Sequence, residues 1–430
     1  MKARSTAAVS HLATPRTRRP HALYWLALGT FAIGTEGFMI AALLTIIAAD
    51  IRVSVAQAGL LVSIFALAYA TSSPVLTAVT GRVDRRRLLI ASMSLFALLN
   101  MAAAMAHSFL ALAAARVLLA FAAGIYTPNA NALAGALVPA EQRGRAIAIV
   151  NGGLTAAIAL GVPLGSVVGE RFGWRMTFVG VGGLSAVAAA GLAQGLPRGV
   201  GAAMVSASLG DRVRAVRNPR VARTLVVTTV WASGSYAVYT YVAPLLYSAT
   251  PLRGSQIGLA LFTWGLAAAF GLFVSGNATD RLGSGLVLRA SLTSLILGLA
   301  SLAVVANVVA PSRAVVPVLA AMALWGMSSW AFFPAQQTRL IDIVGVPSAP
   351  VALSLNASFM YLGFSLGAAL GGFALLHVGP RNLGFVGATC ELAALTLLLV
   401  NQGRDARSQS ALGGAGRDVE HGSGVRSPYV

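Results

Sequence analysis

The 430-residue chain has a single lysine, Lys2. A GxxxxGK[ST] phosphate loop cannot be built without a second one, nor can a buried Schiff-base lysine, so both chemistries are excluded. Cys390 stands alone and no disulfide framework can form. His11, His21, His107, His377 and His421 are scattered, which leaves no set with metal-ligand spacing and no nucleophile paired with a base. Neither a metal, a cofactor nor an enzymatic activity is expected. Charged residues make up 10% of the chain, where a soluble globular protein carries roughly one-quarter.

Hydrocarbon is what the chain has in quantity: 57% of residues are hydrophobic and mean hydropathy is +0.78. At roughly 20 apolar residues per crossing, there is room for about a dozen transmembrane helices. Apolar runs bounded by charged or Pro/Gly-rich breaks place twelve spans, at 23–48, 57–80, 88–106, 108–136, 145–169, 174–195, 223–247, 256–277, 285–308, 314–337, 350–375 and 381–401. The expected class is an all-α membrane protein with two six-helix bundles, 22–195 and 223–401, joined by a linker at 196–222. A basic tail occupies 1–21, and a Gly/Ser/Arg-rich tail at 402–430 is expected to be disordered. The first apolar run is too long for a signal peptide and contains Glu36, so it is expected to be a retained helix.

A net charge of +19 would suit a nucleic-acid binder if the cations lined one groove. They alternate between loops instead, so no nucleic-acid partner is expected. With an even number of spans, one side of the bilayer collects 24 of the 31 basic residues, the other side 6, and Arg116 lies alone within a span. The positive-inside rule then puts both termini in the cytoplasm.

Internal duplication supports the two-half plan. GRVDRRR from Gly81 recurs as GNATDRLG from Gly276, and RAIAIVNGG, with Asn151, recurs as PVALSLNAS, with Asn356. Ten of the twelve acidic residues fall in loops, tails or span ends; Glu36 and Glu391 do not. An ionised carboxylate at mid-bilayer costs about 2.5 to 3.5 kcal/mol on insertion scales, so it asks for a partner, a water-filled cavity or a proton. Glu36 is read as a coupling or cation-recognising carboxylate, a role that requires it to meet a water-accessible opening; the alternative is a static pairing that holds helices together. Glu391, beside Cys390, is read as structural. At 100° per residue, Ala120, Ala123, Thr127 and Asn131 share the face of Arg116, a small and polar stripe that suits a cavity wall or close helix packing. Gly161, Pro163, Gly165 and Gly169 in span 5 permit a bend and close approach, and Gly363, Gly367, Gly371 and Gly372 repeat the pattern in span 11.

These strings resemble the major facilitator superfamily, and within it the twelve-helix bacterial drug:proton antiporters. The resemblance spans roughly residues 22–401. GRVDRRR is similar to the family's loop between helices 2 and 3, with Gly81, Asp84 and Arg85 at the matching places. RVLLAFAAG matches the helix 4 motif through Arg116, with Ala120 where many relatives have glycine. ALGVPLGSVVG approximates the antiporter motif of helix 5, with Val162 inserted and Ser166 replacing a glycine. FGWRMTF and GTEGFMIAALL look like the branch of chloramphenicol, arabinose-type and purine efflux proteins. The resemblance implies a bacterial inner-membrane transporter, a proton-coupling role for Arg116 acting on a facing carboxylate such as Glu36, and a gate in which Asp84 pairs across the helix ends. Asp280 and Arg281 are the repeat's gating counterparts.

A substrate site is expected near the midplane between the halves. Tyr69, Asn151, Tyr236, Tyr239 and Trp264 are candidates, as are Trp325, Phe333, Asn356 and Tyr361, together with Thr127 and Asn131. Their aromatic character and the scarcity of charge point to a small lipophilic, neutral or weakly cationic compound, and the helix 5 resemblance implies its export in exchange for protons. Uptake of a sugar, nucleobase or other metabolite, and a non-transporting membrane receptor or scaffold, are the alternatives.

Overall fold

A computed structural model describes residues 21–139, 142–199 and 208–422. The described residues form α-helices α1 (His21–Asp50), α2 (Val55–Val79), α3 (Arg85–Ala104), α4 (Phe109–Ala136), α5 (Arg143–Ala156), α6 (Val162–Phe172) and α7 (Trp174–Gly195). After the short α8 (Leu209–Arg217) come α9 (Pro219–Tyr239), α10 (Val242–Ala249), α11 (Ser255–Leu282), α12 (Ser284–Val308), α13 (Pro311–Val344), α14 (Ala349–His377) and α15 (Leu383–Gly422). Eleven stretches of the described chain are long and apolar enough to cross a membrane, with α5 and α6 forming one of them through a π-helical turn at Ala157–Gly161. The remaining expected span, the seventh at 223–247, is split: α9 ends at Tyr239 and α10 resumes at Val242.

Two further boundaries differ from expectation. The 196–222 linker contains α8, whose Ser208 and Asp211 form a reciprocal capping box. Hydrogen bonds from Ser208 hold the Asp211 carboxyl below its usual range, so this cap is present above ordinary carboxylate pKa values and is lost as pH falls through the lowered one. The last span runs on as helix to Gly422, through most of the tail expected to be disordered. Residues 1–20 and 423–430 lie outside the described residues.

Polar residues start and stop the spans. Ser54, Asp84 and Ser108 accept backbone N–H bonds at the starts of α2, α3 and α4. Gly173, at φ 85°, supplies the left-handed turn between α6 and α7. The next two residues then clamp the end of α1: Trp174 Nε1 and Arg175 Nη1 donate to Asp50 Oδ2 at 3.2 and 2.6 Å.

The first half packs α1 against α5 and α7, α2 against α4, and α3 against α4 and α7; the second packs α9 against α14 and α15, and α13 against α11 and α12. The halves meet along α2 and α14, and along α11 against α6 and the π turn. Outward-facing Leu98, Leu110, Phe273 and Val308 are exposed, as a lipid-facing surface requires. Glycines set the closest seams. A Cβ on Gly161 would collide with Thr35 Oγ1 of α1, and one on Gly363 with the Thr229 carbonyl of α9.

Gly161→Val is expected to destabilise the protein by about 1 to 3 kcal/mol through overpacking. Gly152→Ala, where nothing lies within 4 Å, is expected to cause no loss. Unfolding midpoints of the detergent-solubilised proteins check this, and equal shifts for the two would contradict the seam.

Candidate functional site

Glu36, midway along α1, and Arg116, near the start of α4, are both fully buried. Arg116 Nη1 donates to Glu36 Oε1 in an ion pair and to the Glu36 carbonyl at 3.4 Å, while Nε donates to the Leu61 carbonyl of α2 at 3.3 Å. The guanidinium lies 4.2 Å from the centre of the Phe65 ring. One cation thereby ties three helices. Ala120 and Ala123 on the same face of α4 are fully buried, so that stripe packs closely rather than lining a cavity. The pair is sealed: in this closed arrangement Glu36 does not meet the aqueous opening that coupling would require.

The junction of the two halves is filled with rings. Phe38 of α1 meets Tyr236 and Tyr239 of α9, Trp330 of α13 and Phe364 of α14, with centroids 5.8 to 6.3 Å apart. Tyr236 stacks on Phe364 at 3.7 Å. The cavity they leave is about 10 Å³, at the limit for one water molecule; Ser235 and Ser329 are among its lining residues, and the surface open to it is apolar.

Of the residues expected around the substrate, Tyr236, Tyr239 and Trp264 line this cavity. Trp325 lies a layer behind, 5.4 Å from Trp264, and Phe333 packs on Trp330 at 6.1 Å. Tyr69 and Tyr361 stack across the α2–α14 junction at 3.8 Å, so they close the site rather than surround it. Asn356 is buried in a polar cluster of the second half, where Thr228 Oγ1 donates to it at 2.7 Å and Gln336 Nε2 donates to Thr228 at 2.9 Å. Asn151 is exposed on α5, and Thr127 and Asn131 are half-buried on α4; none of the three lines the cavity. Sequence reading missed Phe38, Trp231, Trp330 and Phe364. Helical spacing offered a signal for one of them, because Phe364 follows Tyr361 by about one turn.

The two ends of the junction close differently. At the arginine-rich end, Asp84 caps α3 by accepting from the Arg87 N–H at 2.9 Å and makes no cross-half ion pair among the described residues. Arg85 donates to the Gly81 carbonyl at 3.1 Å, and Arg86 to the carbonyls of Leu196, at 2.9 Å, and Ala193. These bonds lock the loop to its own half. Asp280 and Arg281 are exposed. The bridge comes from α8, where Arg212 donates Nη1 to Ser354 Oγ of α14 at 2.6 Å and Nη2 to Thr77 Oγ1 of α2 at 2.9 Å. In sequence, Arg212 is indistinguishable from the other loop arginines. At the opposite end Tyr241, in the break between α9 and α10, donates to the carbonyls of Ala368 at 3.0 Å and Ala56 at 3.4 Å.

The model of the Major Facilitator Superfamily matches residues 26–250 and 224–428. The MFS-type transporter YbcL of Bacillus subtilis (strain 168) is 31% identical over 381 residues, covering 88% of this chain and 95% of that protein. A chloramphenicol resistance protein of Streptomyces lividans is 31% identical over 383 residues, covering 88% and 95%. Among solved structures, a bacterial homologue of the human lysosomal transporter Spinster, inward-facing and unoccupied, superposes with a TM-score of 0.69 at 19% identity over 90% of this chain and 96% of that one. Two six-helix halves around a closed central cavity, with this family match across both, make the chain a membrane transporter belonging to the Major Facilitator Superfamily.

Proposed function

We propose that the protein exports a small lipophilic organic compound in exchange for protons, by alternating access between its two halves. The observation that carries this reading is the central cavity with separate closures at either end, Arg212 at one and Tyr241 at the other. A compound enters only when one closure loosens while the other holds. The positive-inside rule assigns the Arg212 end to the cytoplasm. The ring-lined wall favours a compound with aromatic or aliphatic surface, and similarity to a chloramphenicol resistance protein supports export.

Glu36 and Arg116 supply the coupling in this reading. Their ion pair compensates two buried charges, and protonating Glu36 would leave Arg116 uncompensated. The exchange therefore takes place when the halves separate and water reaches the pair. The cost of breaking it ties proton binding to the movement.

Inside-out vesicles with an acid lumen are expected to accumulate chloramphenicol or another uncharged aromatic probe. Glu36→Gln should abolish that accumulation while leaving exchange of labelled for unlabelled probe at equal pH. Full gradient-driven accumulation by the variant would remove Glu36 from the coupling role.

Arg212→Ala deletes two charge-assisted hydrogen bonds that close the cytoplasmic end. In a Cys390→Ser background carrying Ser329→Cys, maleimide labelling from that side should speed up by about tenfold or more. An unchanged rate would show that Arg212 does not hold the closure.

A further inference from the structure

The second half carries a buried carboxylate that the coupling scheme does not use. Glu391 lies on α15 with 0% exposure and, unlike Glu36, has no cation within ion-pair distance among the described residues. Its Oε1 accepts from Ser235 Oγ at 3.3 Å, and Oε2 meets no hydrogen-bond partner of the protein. Ser235 is also 3.1 Å from Ser329 Oγ, and both serines line the central cavity. A chain of two hydroxyls thus runs from a solitary buried acid to two residues that line the central cavity.

The surroundings leave no other charge to satisfy it. On α9 the nearest titratable side chains are Tyr236 and Tyr239, while Arg220 and Arg223 pair with Asp405 at the far end. On α12, Arg289 donates to Gln402. On α13, which carries Ser329, Arg339 pairs with Asp405. On α14 the groups are Tyr361, stacked on Tyr69, and His377, exposed beside Phe373. Cys390 neighbours Glu391 on α15 and brings no positive charge. An isolated carboxylate in hydrocarbon is tolerated at far lower cost as the neutral acid than as the anion.

We propose that Glu391 is a proton-carrying site of the second half, loaded and emptied from the central cavity through the hydroxyls of Ser329 and Ser235. In loading, when water enters the cavity, a hydronium there gives its proton to Ser329 Oγ. Ser329 passes its own hydroxyl proton to Ser235, and Ser235 passes its own to Glu391 Oε1. One proton leaves the hydronium as water, one arrives on the carboxylate, and both hydroxyls are regenerated. Emptying reverses the steps. The site stands apart from the Glu36–Arg116 pair, so the export reading and this proposal succeed or fail separately.

Infrared spectroscopy of the full chain in lipid tests it without any transported compound. The wild type is expected to show a protonated-carboxyl stretching band at neutral pH. Glu391→Gln, which keeps an acceptor for Ser235, should remove that band, and Glu36→Gln should leave it. On transfer to D2O, Ser235→Ala should slow deuteration of the band by about tenfold with its intensity unchanged, a kinetic effect that a purely structural role for the serine would not produce. A band that survives Glu391→Gln, or deuteration as fast in Ser235→Ala as in the wild type, overturns the proposal.

Discussion

Within the hydrocarbon layer no solvent completes an unmet hydrogen bond, and that constraint governs the whole molecule. Its sharpest expression is the Glu36–Arg116 pair. Arg116 contacts Glu36 Oε1, the Leu61 carbonyl and the face of Phe65 together, so a shift of α1, α2 or α4 against the others breaks contacts to a buried charge. The same constraint appears as hydroxyls folded back on their own helices, such as Thr30 on the Leu26 carbonyl and Ser185 on that of Val181. Where a helix is interrupted at membrane depth, protein groups cover the break: Tyr241 reaches the carbonyls of neighbouring helices, and the π turn before Pro163 packs against α1 and α11.

The halves repeat their helix order and glycine seams but not their electrostatics. At the arginine-rich end of the first half, Arg85 and Arg86 donate to backbone carbonyls, and the buried acid of that half has its own cation. In the second half Arg220, Arg223 and Arg339 gather on Asp405 at the arginine-rich end, and the buried acid is left to serine hydroxyls. Such divergence suits a machine whose halves play different parts. One carries a buried charge pair, and the other presents most of the central rings, contributed by α9, α11, α13 and α14.

Much of this was legible in the sequence because hydropathy and charge spacing are one-dimensional signals. Eleven of the expected spans and the all-helical fold follow from residue type and position, whereas the link between Arg116 and a facing carboxylate such as Glu36 came from the family resemblance. The break at Thr240 and Tyr241 was not legible, because an apolar run reads the same whether the helix is continuous or split. The helix beyond residue 401 was missed for the opposite reason, since Gly/Ser/Arg-rich composition argued against order. Arg212 and the polar cluster around Asn356 depend on contacts between distant segments, and no local pattern marks them. Glu391 was visible as an acid within a span. Its serines were not, because only packing shows which of many hydroxyls face it.

The closed centre also bears on what can be carried. With so little free volume, a compound has to displace ring–ring contacts, each worth about 0.5 to 1.5 kcal/mol beyond the area it buries. A solute with aromatic or aliphatic surface replaces those contacts with its own, and the exchange is close to balanced. A polyol would set many hydroxyls against Phe38, Trp264, Trp330 and Phe364, where the wall offers few partners, at about 1 to 3 kcal/mol for each group left unpaired. Several such groups would outweigh any gain from binding. Under the proposed export role, a lipophilic cargo therefore suits this ring-lined wall better than a polyol does.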